Sequence, residues 1–213
     1  MVNIRVMLVD DHDLIRYGLR RLLEDQVGIN VVAEADSGEK ALEKIRKVKP
    51  DVVLMDINMP GIGGFEATSR ICKSYPESKV IVLTVHSEGP LPKRILEAGA
   101  VGYLTKGCPV EEMLEAIRKV HAGKRYIAPT IAQQLALSML PGEESIIDVL
   151  SQRELQVLIM ISRGMRTGTI SEKLNLSPKT VSTYRKRLHD KLNVCNDVEM
   201  MHLSIKHGLL EKD

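Results

Sequence analysis

Aromatic residues make up only 3% of this 213-residue chain and tryptophan is absent, so Leu, Ile, Val and Met must carry any core. Cysteine is scarce as well. Cys72, Cys108 and Cys195 are odd in number, far apart and without CxxC or Cys/His spacing. That pattern argues against a disulfide framework or a structural zinc site and leaves buried or incidental thiols. No stretch reaches the roughly 18 apolar residues of a membrane helix. The opening Val2-Asn3-Ile4-Arg5-Val6 is short and mixed, not a basic flank followed by a long apolar run. The expectation is a cytoplasmic protein without membrane contact. Internal repeats and low-complexity segments are missing too.

What is present suits two domains, since one domain usually takes about 100 to 150 residues. The net charge of +2 hides an asymmetry. From Val149 to Asp213 there are 11 basic against 7 acidic residues, a net +4, while residues 1–148 hold 19 and 21, a net −2. The C-terminal part is the basic one, as a nucleic-acid binder requires.

Ile4–Val9, Ile29–Ala35, Val52–Met55, Val80–Leu83 and Val101–Leu104 are short, β-branched apolar runs, as in strands buried on both faces. They alternate with helical patterns: Ile15, Leu19, Leu22, Leu23; then Ala41, Leu42, Ile45, Val48; and later Met113, Leu114, Ile117, Val120. Five βα units predict an α/β fold, a five-stranded doubly wound parallel sheet of flavodoxin-like type, over residues 1–126. Ala128-Pro129-Thr130, the stretch around Gln133 and Gln134, and Pro141-Gly142-Glu143-Glu144 read as a partly helical linker, residues 127–148.

Order restarts at Leu150-Ser151-Gln152-Arg153-Glu154-Leu155. Ser151 can cap a helix, Glu154 can return the bond, and Leu150 can staple onto Leu155. From there the patterns are helical, predicting an all-α domain over residues 149–213. Ile170 to Val181 reads as helix, tight turn, helix, with Ser177 as N-cap and Pro178 at the first helical position. On that second helix Val181, Leu188 and Leu192 form the core stripe. Lys179, Ser182, Thr183, Lys186 and Asp190 recur on another side, which suits a major groove; the plainer reading is a solvated face.

Asp10 and Asp11 follow the first predicted strand, Asp56 the third, Thr84 the fourth and Lys106 the fifth. In an open parallel sheet the strand C-termini line one edge, so all five residues converge on one site. A single Asp at a strand end is usually a cap or turn residue, and Asp13 and Ser37 are read as helix caps. Three carboxylates together need a divalent cation or protons between them. Oxygen ligands favour Mg²⁺; His12 is expected to point into the following loop. Lys106 and Thr84 supply what a phosphoryl group's oxygens need, which makes Asp56 a phosphoryl acceptor.

Val9-Asp10-Asp11-His12, Met55-Asp56-Ile57-Asn58-Met59-Pro60-Gly61, Thr84 and Gly102-Tyr103-Leu104-Thr105-Lys106 resemble the receiver domain of two-component systems. The resemblance implies that Asp56 accepts the phosphoryl group from a sensor histidine kinase. It implies Mg²⁺ on Asp11, Asp56 and the Asn58 backbone carbonyl, with Asp10 acting through water, and phosphoryl contacts from Thr84 and Lys106. Tyr103 matches the aromatic that changes rotamer with Thr84. Gly107-Cys108-Pro109 departs from the family's Pro directly after that Lys.

Leu150 to Glu154, Gly164, Leu176 to Val181 and Lys191-Leu192-Asn193-Val194 are similar to the LuxR-type helix-turn-helix domain, with Thr167-Gly168-Thr169 departing from its usual Asn-Lys-Glu run. Together the two halves resemble the NarL/FixJ group of response regulators, close to the GacA/UvrY branch. This implies a homodimer on double-stranded DNA, RNA polymerase as a further partner, and activation of small regulatory RNA genes for virulence, motility or carbon metabolism. Base reading would fall to Ser182, Thr183 and Lys186, and phosphate contacts or packing to Lys179, Tyr184, Arg185 and Arg187. Val198, Met201 and Ile205 share one apolar stripe, a dimer surface or ordinary core. A phosphatase or phosphotransferase using Asp56 as nucleophile is the reading of another class, but it leaves half the chain without a use. A DNA binder with a vestigial pocket is the third, and the complete pocket argues against it.

Overall fold

The computed structural model of the protein describes residues 3–85, 90–138 and 145–210. The chain divides into two compact units, Met1–Ser87 with Ile95–Gln133, and Glu88–Arg94 with Gln134–Asp213. Among the described residues no helix is long and apolar enough to cross a membrane.

The first unit is a parallel sheet of β1 (Ile4–Val9), β2 (Ile29–Ala35), β3 (Val52–Asp56), β4 (Lys79–Thr84), β5 (Gly102–Thr105) and β6 (Tyr126–Ile127), in the order β2-β1-β3-β4-β5-β6. Between these strands run α1 (Asp13–Glu24), α2 (Gly38–Val48), α3 (Gly63–Ser74), α4 (Leu91–Glu97) and α5 (Val110–His121). The five expected strands are present. The sixth corrects the expectation of five: Tyr126 N donates to Val101 O and Ala128 N to Tyr103 O, each at 3.0 Å. Two residues are too few for any periodicity to announce.

β1, β3 and β4 are buried almost throughout, but β2 is buried only at its ends because it forms the sheet edge. The α1 stripe is also shallower than expected. Leu23 is fully buried whereas Ile15 and Leu22 lie exposed. Ser37 caps α2 through Lys40 N, as expected, whereas α1 is capped by His12 and Asp13 is its first residue. Asp13 instead pairs with Arg16 at 2.5 Å.

The second unit contains α7 (Gln152–Ser162), α8 (Thr167–Leu174), α9 (Pro178–Leu192) and α10 (Asp197–Lys206), preceded by a short 3₁₀ turn at Ile146–Val149. In the stretch 127–148, α6 (Pro129–Leu137) is helical, while Pro141-Gly142-Glu143-Glu144 lies outside the described residues. The capping box of α7 is formed: Glu154 N donates to Ser151 Oγ at 3.3 Å and Ser151 N to Glu154 Oε2 at 2.8 Å. Lys191 adds a bond to the same carboxylate at 2.7 Å. α8 begins without a side-chain cap, α9 starts on Ser177, and the Asn175 between them takes the left-handed conformation that makes the turn tight.

The turn after β3 presses hard on Asp56. A Cβ on Gly64 would lie 1.8 Å from the Asp56 carbonyl oxygen, and Gly64 N donates to Ile57 O at 3.1 Å. Gly64→Ala should therefore destabilise the protein by on the order of 3 kcal/mol, because backbone must move to admit the methyl. Gly18 in α1 has no atom within 4 Å of such a Cβ. Gly18→Ala should stabilise by up to about 1 kcal/mol. Denaturant unfolding of the two variants beside the parent checks both signs.

Candidate functional site

β1 and β3 are adjacent although two units apart in sequence, so β1 is flanked by connections that leave in opposite directions and a crevice opens at the strand C-termini. Asp10, Asp11 and Asp56 stand there, and β4 and β5 end beside them. Thr84 pairs in register with Thr105, and the last bond of that pair of strands runs from Lys106 N to Thr84 O at 2.7 Å. Of the five residues read from the strand ends, Asp10, Asp11, Asp56 and Lys106 come to one place, and Thr84 ends the strand beside β5.

Lys106 Nζ lies 2.9 Å from Asp10 Oδ2 and 2.8 Å from Asp56 Oδ2. Both carboxylates are buried, at 2% and 1% exposure. Burial raises the Asp56 pKa from its ordinary value, Lys106 opposes that shift, and Asp10 adds to it. On Lys106 burial works against the ammonium but is outweighed by Asp56 and Asp10, so its pKa is raised. Asn58 N donates to Asp56 Oδ1 at 3.1 Å and orients the carboxylate.

Asp11 Oδ1 is buried and accepts no hydrogen bond among the described residues. A buried carboxylate oxygen without a hydrogen bond, beside two further carboxylates, suits a hard divalent cation such as Mg²⁺, with Asp10, Asp11 and Asp56 as oxygen donors. One ligand atom from each of Asp10, Asp11, His12 and Asp56 lies within 4.8 Å of the others. His12 does not point away into the loop: its Nδ1 is 3.2 Å from both Asp10 Oδ1 and Asp11 Oδ1. The sequence reading missed this because chain order along a loop says little about where an imidazole turns.

Tyr103 is fully buried on β5, and burial pushes its hydroxyl pKa upward while the Thr84 hydroxyl opposes the shift. Two supporting residues had no signal in the sequence. Arg16 donates to the Asp10 carbonyl at 2.7 Å, and Glu39 on α2 accepts from Ile62 N at 3.2 Å, bracing the loop that follows Asp56. Each is an ordinary charged residue on a helix until the fold brings it across.

In the second unit Val181, Leu188 and Leu192 are buried, and Lys179, Ser182, Thr183, Lys186, Arg187 and Asp190 are exposed on α9. Ser182 Oγ donates to Pro178 O at 3.0 Å and Thr183 Oγ1 to Lys179 O at 2.9 Å, so both hydroxyls hold their protons inward and keep lone pairs outward. Tyr184 and Arg185 are half-buried. Arg185 pairs with Asp197 and reaches Thr167 Oγ1 at 3.4 Å, tying α9 to α8 and α10. Val198 is exposed and Met201 and Ile205 are half-buried, while α10 buries Met200 and Ser204.

Residues 6–118 match the family described as "Response regulator receiver domain", and residues 148–204 match "Bacterial regulatory proteins, luxR family". Response regulator UvrY of Escherichia coli K12 is 55% identical over 208 residues, 97% of this chain and 95% of that protein. Response regulator GacA of Pseudomonas viridiflava is 53% identical over 210 residues, 98% of each. Among solved structures, RcsB of Salmonella enterica serovar Typhimurium, bound to a promoter in the presence of the phosphomimetic BeF3−, aligns with a TM-score of 0.74 at 26% identity, covering 94% of this chain and 98% of that one. With an acidic crevice at one end of the sequence and a helix-turn-helix at the other, the chain belongs to the DNA-binding response regulators of the LuxR type, similar to UvrY and GacA, which are transcription factors and not enzymes.

Proposed function

We propose that a sensor histidine kinase phosphorylates this protein on Asp56 and that the phosphorylated form binds paired DNA half-sites, activating small regulatory RNA genes for virulence, motility or carbon metabolism. In this reading residues 1–126 are the receiver, 127–148 the linker and 149–213 the DNA-binding domain of a cytoplasmic protein. The observation that carries it is the contact of Lys106 with both Asp10 and Asp56. A cation already stationed at the acceptor carboxylate is placed for the phosphoryl oxygens that arrive there. The choice of target genes rests on the likeness to UvrY and GacA.

A carboxylate oxygen of Asp56 forms a bond to phosphorus as the phosphorus–nitrogen bond of the kinase phosphohistidine breaks. Asp10, Asp11, Asp56 and the Asn58 carbonyl would hold Mg²⁺, which when bound neutralises charge gathering on the phosphoryl oxygens. Lys106 exchanges its carboxylate partners for a phosphoryl oxygen, and the Thr84 hydroxyl donates to another. Displacing Thr84 toward the phosphoryl group changes what the buried Tyr103 hydroxyl faces, the proposed start of the switch. On the DNA side, Val198, Met201 and Ile205 are the proposed dimer surface, supported by the exposure of Val198 and the partial exposure of Met201 and Ile205.

Asp56→Asn should abolish labelling by a small phosphodonor in Mg²⁺ while the circular dichroism spectrum stays unchanged; full labelling would shift the acceptor elsewhere. On the DNA helix, Lys186→Ala should weaken a specific site by about 1 to 3 kcal/mol and random duplex little. Lys179→Ala should weaken both alike and lower the salt slope by roughly one unit. Competition binding at several salt concentrations reads both quantities, and equal losses for Lys186→Ala would remove it from base reading. Arg185→Ala should behave differently again. Its half-exposed ion pair contributes about 0.5 to 1 kcal/mol to the C-terminal unit, so its melting temperature should fall while those of the two Lys variants hold. An unchanged melting temperature would return Arg185 to the phosphate contacts.

A further inference from the structure

His12 has no task in the phosphorylation scheme, yet its ring stands in the crevice. Its backbone N–H donates to Asp10 Oδ1 at 2.8 Å, which fixes the start of the side chain. As N-cap of α1 it makes no side-chain capping bond. Nδ1 is 3.2 Å from one oxygen of Asp10 and 3.2 Å from one oxygen of Asp11. Lys106 contacts Oδ2 of Asp10 and of Asp56, so the imidazole and the ammonium approach opposite oxygens of Asp10.

One nitrogen equidistant from two carboxylate oxygens is a poor arrangement for a single N–H, which can serve only one of them well. It is a good arrangement for three donors around one ion. Metal–ligand distances of about 2.1 to 2.3 Å place neighbouring octahedral donors roughly 3.0 to 3.2 Å apart. More than half of the His12 side chain is exposed, so the ring can turn to a cation with little desolvation. Asp11 Oδ1, buried and without a hydrogen bond, supplies an acceptor that such a cation would satisfy.

We propose that His12 donates Nδ1 to the divalent cation of this crevice and thereby shifts its preference from Mg²⁺ toward first-row transition ions such as Mn²⁺. Mg²⁺ takes oxygen donors and gains little from imidazole, whereas transition ions bind it readily. The proposal rests on the reading that Asp10, Asp11 and Asp56 hold a cation. It makes the response regulator sensitive to which divalent ion the cell supplies.

The full-length protein loaded with one equivalent of Mn²⁺ should show ¹⁴N coupling in pulsed electron paramagnetic resonance, and His12→Ala and His12→Gln should lose it. In Mg²⁺ competition, the Mn²⁺-over-Mg²⁺ preference should fall about tenfold in both variants, with melting temperatures unchanged in metal-free buffer. Bound Mn²⁺ without nitrogen coupling, or an unaltered preference in the variants, overturns the role of His12 and leaves the cation site standing. Failure of the parent protein to bind Mn²⁺ overturns both.

Discussion

Two buried carboxylates of like charge, Asp10 and Asp56, share one ammonium, and the neighbourhood is arranged around keeping it there. Uncompensated charges in so little water would be neutralised by protons or would open the structure. Lys106 can reach both because β5 ends beside β4, and that register is closed by its own backbone bond to Thr84. The requirement therefore runs from a side-chain pair back into the pairing of two strands. It also leaves the crevice with more carboxylate than ammonium: Lys106 is shared by Asp10 and Asp56, and the third carboxylate, Asp11, stands nearer the rim.

The loop after Asp56 is the second fixed part. Gly64 lets α3 approach the Asp56 carbonyl closer than any side chain would allow, Glu39 holds Ile62 from the neighbouring helix, and Asn58 orients the carboxylate itself. Two residues of the following loop and helix and one from a distant helix thus converge on one acceptor. The α9 surface is built on the opposite plan. Lys179, Ser182, Thr183 and Lys186 are left exposed, while Arg185 and Lys191 are tied to Asp197 and Glu154, so a fixed scaffold carries an exposed polar face.

The strand ends were legible in the sequence because fully buried parallel strands are short apolar runs, and a polar residue directly after each run must lie at the crevice. Capping chemistry was legible too: Ser151 with Glu154, and Ser177 with Pro178, act within four residues. Glu39 acts across the fold, whereas Arg16 and His12 reach back to Asp10 and Asp11 within six residues, through side-chain orientations that a residue pattern does not record. Asp13 carries the composition of a cap, but the chain turns one residue earlier, at His12. β6 escaped for its brevity, and the exposure of Ile15 and Leu22 because periodicity marks a face without saying how deeply it is covered.

That two-residue strand has a bearing on solubility. Without it, β5 would be the sheet's border, a row of unpaired carbonyl and amide groups on a largely buried strand, open to the matching border of another molecule. Tyr126 and Ala128 occupy that row, and Pro129, which has no amide hydrogen, follows at once as the first residue of α6. The stretch that leaves the sheet thus also serves as its hem, and a receiver trimmed at the end of α5 would carry a raw edge prone to aggregation.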